Sequence, residues 1–215
     1  MRAPRTYRKA RFVSIVAALA LTGACGGSLS PMATSSPDGA SPIGAPTTTD
    51  STIAAIEEAV LATDLPTTYD EARVLASSLP RQLGGLTTEG PVETGDEPPT
   101  TVVSYGQDRA HPLAGVEFLV LGNAPGVTAA DMVNATAHLG FGLDEESSST
   151  AGDEEFPRVI GHVVLLEGVG RLAAEDQGYL ATWAPSATSE VSYALLGTSE
   201  EALMTALEVL SAAAT

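Results

Sequence analysis

Arg158-Val159-Ile160-Gly161-His162-Val163-Val164-Leu165-Leu166-Glu167 carries apolar side chains at odd and even positions alike. An extended chain points successive residues to opposite faces, so this run predicts a strand buried on both, in the centre of a sheet. Thr101 to Tyr105 and Val116 to Leu121 read as further strands. In the latter, Val116, Phe118 and Val120 share one face, while Glu117, Leu119 and Leu121 share the other. Tyr179 to Ala184 and Glu190 to Leu196 predict a hairpin across Pro185-Ser186-Ala187-Thr188-Ser189.

Around these strands the apolar period changes to that of helices. Ile53, Ile56 and Val60 lie at helical spacing in residues 51–63. Thr68-Tyr69-Asp70-Glu71 is a capping-box pattern ahead of Ala72, Leu75, Ala76 and Leu79, with Pro80 and Gly84-Gly85 ending that helix. Thr128-Ala129-Ala130-Asp131 opens a third helix with Met132, Ala135, Thr136 and Leu139 on one stripe and Gly140 at its end. Thr198-Ser199-Glu200-Glu201 opens a fourth, carrying Leu203, Ala206, Leu207 and Leu210. Residues 87–99 and 144–155 read as acidic loops. The expected fold is α+β, with an about five-stranded, mainly antiparallel sheet covered on one face by about four helices.

The N-terminal region is of a different kind. Arg2, Arg5, Arg8, Lys9 and Arg11 form a positive segment, followed by an apolar run from Phe12 to Leu21 that is too short to span a bilayer, which takes ~20 residues. Gly23 and Ala24 are small and precede Cys25, the one cysteine of the chain. This order resembles the bacterial prolipoprotein signal peptide, with Thr22-Gly23-Ala24-Cys25 as the lipobox and Thr22 in place of the more usual aliphatic residue. The resemblance implies cleavage between Ala24 and Cys25, a diacylglycerol thioether on Cys25, and often acylation of the new amine. Two or more acyl chains, at about 0.8 kcal/mol per buried methylene, suffice for stable anchoring. The expected location is the extracytoplasmic face of the cell membrane.

Three segments follow: a signal peptide over 1–24, a lipid-anchored Ser/Thr/Pro/Gly linker over 25–50, and one globular domain over 51–215. The linker composition offers little apolar surface to offset the entropy of ordering, so it reads as a flexible tether. After cleavage the chain keeps five arginines, no lysine and 27 acids, a net charge of −22. Such a surface repels nucleic acid and anionic headgroups, which leaves the lipid as the expected source of membrane affinity. With Cys25 acylated no disulfide is possible, and the fold rests on its core.

Common catalytic signatures are missing from the sequence. G-x-S-x-G, HExxH, an EF-hand loop and phosphate-binding glycine patterns do not occur, and a mature chain without lysine cannot hold Ser-x-x-Lys. Of the histidines, His111 precedes Pro112, His138 lies in the last turn of a helix, and His162 shares a strand face with Ile160, Val164 and Leu166. Glu117 is the candidate partner of His162 for a ligand or metal. Asp144-Glu145-Glu146 and Asp153-Glu154-Glu155 bracket one loop, and read as a solvated charge run ahead of a cation clasp. Trp183 and Tyr179 share a hairpin face, either under a helix or as an aromatic ligand wall. No cofactor, resident metal or catalytic residue is expected.

Trp183, then Tyr193-Ala194-Leu195-Leu196-Gly197, then the acidic-capped helix from Glu200 is similar to the end of the periplasmic lipoprotein-carrier and mycobacterial glycolipid-binding lipoprotein folds. That resemblance implies a sheet curled around an apolar cavity for acyl chains. The expected function is a non-enzymatic, lipid-anchored binding or accessory domain with a protein or small-molecule partner. A lipid or glycolipid carrier and an envelope hydrolase with a carboxylate/His site are the alternatives. Mass spectrometry of native protein after organic extraction is expected to find acyl groups on Cys25; an unmodified thiol there overturns the anchor.

Overall fold

The computed structural model describes residues 48–96, 98–106, 115–140, 143–149, 155–164 and 177–214. The leader, Ala24, Cys25, most of the linker, His111, Asp153 and Glu154 lie outside them.

Four α-helices are present among the described residues: α1 (Thr48–Leu61), α2 (Tyr69–Ser78), α3 (Ala129–Ala135) and α4 (Glu200–Ala214). The strands are β1 (Gln82–Leu83), β2 (Leu86–Thr87), β3 (Val92–Asp96), β4 (Pro99–Gly106), β5 (Gly115–Gly122), β6 (Leu143–Ser149), β7 (Arg158–Val164), β8 (Gln177–Trp183) and β9 (Val191–Gly197). They form one antiparallel sheet in the order β1-β2-β4-β5-β9-β8-β7-β6, with β3 on β4. The sheet thus has nine strands where about five were expected. The additional ones are two short hairpin strands and two acidic segments read as loops. β3 and β6 are edge strands with shifted register, and they pair through backbone groups without the apolar alternation that marks a buried strand.

The centre of the sheet is β5, β9 and β8, and all eight residues of β5 and seven of β9 are buried. Residues 158–164 form β7, which is flanked on both sides yet stands next to the edge strand β6, so it is not central. The apolar residues on both its faces are explained by cover above and below.

Two cores lie on opposite faces. On one, Val103, Phe118, Leu195, Ala181 and Ile160 run across five strands in a single row beneath α1, α2 and α4. On the other, Leu119, Leu121, Val159, Leu180, Ala194 and Leu196 pack with Ala129, Met132 and Val133 of α3. The helices therefore divide three and one between the faces, a correction to cover on one face only. Pleating requires it: with large apolar groups on both sides of β5 and β9, either face left bare would expose them to water, at about 1.5–3 kcal/mol for each large side chain.

The helix ends follow local chemistry. Thr128 Oγ1 accepts from the Asp131 amide at 3.1 Å, and Ser199 Oγ accepts from the Ala202 amide at 3.2 Å, each satisfying a free donor of the first turn. Thr68 instead donates to the Glu71 carboxylate at 2.8 Å and makes no side-chain bond to the helix amides. Leu79, ahead of Pro80, turns to ψ 142°, as the proline ring demands, and ends α2. Gly84 and Gly85 at φ 53° and 90° make the β1–β2 turn rather than only stopping the helix. α3 continues as a π-helical turn over Thr136–Gly140, where Thr136 donates its hydroxyl to the Met132 carbonyl at 2.8 Å and Ala137 turns fully inward.

α1 has a direction that matters below. Thr52 donates to Glu200, just beyond the Gly197 end of β9, and Glu57 accepts from Arg158 Nε at 2.8 Å at the opposite end of β7. The helix therefore starts at the sheet end marked by Gly106, Gly115 and Gly197. It runs toward the end marked by Pro99, Gly122 and Val191. At its starting end, a Cβ built on Gly197 comes within 3.0 Å of Leu203 Cβ and 3.2 Å of the Leu203 amide nitrogen. Gly197→Ala is expected to cost about 1–3 kcal/mol in urea unfolding by overpacking. An unchanged midpoint would show that α4 does not sit this close to β9.

Candidate functional site

The predicted site residues are separated by the sheet. His162 lies on the three-helix face, opposite Tyr179 across the β7–β8 pair, with ring centroids 4.5 Å apart and planes tilted by 47°. Its Nε2 is buried and makes no hydrogen bond among the described residues. Glu117 belongs to the row Ser104, Glu117, Leu196, Leu180, Gly161, on the α3 face, and β9 and β8 stand between its strand and that of His162. The expected Glu117–His162 pairing is therefore excluded. Glu117 is buried and accepts a hydrogen bond from Ser104 Oγ at 3.3 Å.

Trp183 is fully buried and belongs to the core, not to a ligand wall. Its ring stacks on Tyr193 with centroids 5.7 Å apart, and Tyr193 stacks on Phe118 at 5.8 Å. The indole Nε1 has no hydrogen-bond partner among the described residues. The acidic residues 144–146 lie in the edge strand β6, and among the described residues no group of three His, Cys, Asp or Glu side chains is placed to hold a metal. His138 sits on the π-helical turn, partly exposed.

A void between α2, α4 and the sheet has about 10 Å³ of room and is lined by Leu79, Leu83, Tyr105, Phe118, Leu195 and Leu210, among others. That is about the space of one water molecule, with no room for an acyl chain. The Tyr105 hydroxyl beside it is engaged by the Pro80 carbonyl at 2.7 Å.

The built feature is at the sheet end where α1 finishes. The connection from α1 to α2, the β5–α3 loop and the β8–β9 loop are bonded to one another there. The Glu190 amide donates to Thr67 O at 2.9 Å, and the Asn123 amide donates to Glu190 O at 2.9 Å. Asn123 Nδ2 donates to Ser189 O at 2.8 Å, while Asn123 Oδ1 accepts from Ser192 Oγ at 2.9 Å. Ser189 Oγ lies 2.7 Å from Val191 O and 3.2 Å from Thr67 O, and Tyr193 OH donates to Pro66 O at 2.7 Å. Ser189 and Ser192 are buried, so these bonds form with little competition from water. Thr67, Pro125, Gly126, Ala187, Thr188 and Glu190 are exposed along the resulting rim.

Chemically this rim is a rigid display of backbone and hydroxyl groups. The Ser189 hydroxyl is held among backbone groups, and among the described residues no base is bonded to it, unlike an activated nucleophile. Its turn residues, Asn123-Ala124-Pro125-Gly126 and Pro185 to Ser189, are legible in the sequence as loops. That the loops meet is not, because Tyr193 and Pro66 are 127 positions apart.

Asn123→Ala strands the fully buried Ser192 hydroxyl and is expected to cost about 1–3 kcal/mol, measured by urea unfolding. A change under a few tenths would dissolve the rim as a rigid unit. Burial, with the Glu71 carboxylate adding to it, pushes the Tyr193 phenol far above its ordinary value. Burial also raises Tyr105, against the pull of Arg81. The unfolded chain releases such protons near pH ~10 while the folded chain retains them, so stability held below that pH is lost above it. Unfolding midpoints are expected to fall above pH ~10, less steeply in Tyr193→Phe. An equally steep fall in that variant would remove Tyr193 as a source.

Compared with protein-family models, curated proteins and solved structures, the chain matches none.

Proposed function

We propose that the chain is an exported lipoprotein, anchored through Cys25 at the outer face of the cell membrane, and that its folded part is a non-enzymatic binding or accessory domain. The anchor rests on Leu21-Thr22-Gly23-Ala24-Cys25 behind a basic and then apolar segment. The binding reading is carried by one observation: the braced loop rim lies at the sheet end opposite the one where α1 begins. A chain anchored ahead of α1 enters at one end of the domain and leaves the rim at the other. Loops already fixed in place lose little further entropy when a partner binds. The 27 acids carry no membrane affinity of their own, so the lipid does the holding and the domain faces its partner.

Photo-crosslinking in native cells tests this. A photoreactive residue at the exposed rim position Thr188 is expected to yield a discrete adduct, and one at exposed Ser77, near the opposite end, is expected to yield none. Cys25→Ala is expected to release the protein from membranes and weaken the adduct. Identical adduct patterns from Thr188 and Ser77 would sink the rim as the binding surface. Retention of Cys25→Ala in the membrane fraction would sink the anchor.

A further inference from the structure

We draw no further inference here: the strongest candidate, the outer edge of β3 where Val92 stands exposed beside the Arg73–Glu93 ion pair, is an unpartnered strand edge, and nothing in the structure shows what covers it.

Discussion

Two-sided burial of the central strands is the constraint on which the architecture depends. β5 and β9 present large side chains to both faces, Phe118 and Leu195 to one, Leu119 and Leu196 to the other. No single helical layer can cover such a pair. The division of helices between the faces, the deep seat of α4 against Gly197 and the inward turn of Ala137 all serve that double cover. The aromatic file of Trp183, Tyr193 and Phe118 then thickens the larger core along neighbouring strands.

Where the chain buries apolar area, its sequence was readable. β4, β5, β8 and β9 fall within two residues of the expected strands, and all four helices appear. The expected residues are buried on α1, α2 and α4. On α3 Met132 of the expected stripe is buried, whereas Ala135 and Thr136 are partly exposed, and Ala129, Val133 and Ala137 turn inward instead. The strands not expected are those without a sustained apolar alternation in sequence. Val92-Glu93-Thr94-Gly95-Asp96 and Leu143 to Ser149 have the composition of solvated loops because an edge strand needs only backbone partners. The one-face assignment failed for a different reason. The alternation in Val116 to Leu121 already carried leucines on its second face, and that face required a helix of its own.

The candidate site was less accessible. His162, Glu117 and Trp183 stood out as residue types, but a strand register decides which side of a sheet a residue occupies. In this sheet that register puts Glu117 and His162 on opposite sides. The rim is built from Thr67, Asn123, Ser189 and Ser192, polar residues of kinds that ordinarily end turns. Only the meeting of three loops gives them a collective character, and that meeting is a product of topology rather than of local composition.

The irregular edges have a consequence for crowding. With the anchor proposed above, copies of the protein would share a surface rather than a volume, so neighbours would meet far more often than in dilute solution. A long, flat sheet margin would invite them to zip together into ribbons. β3 shifts register between Thr94 and Asp96, and β6 between Leu143 and Ser148, and such kinks break the straight ladder that zipping requires. Both margins therefore resist edge-to-edge pairing with a second copy of the sheet.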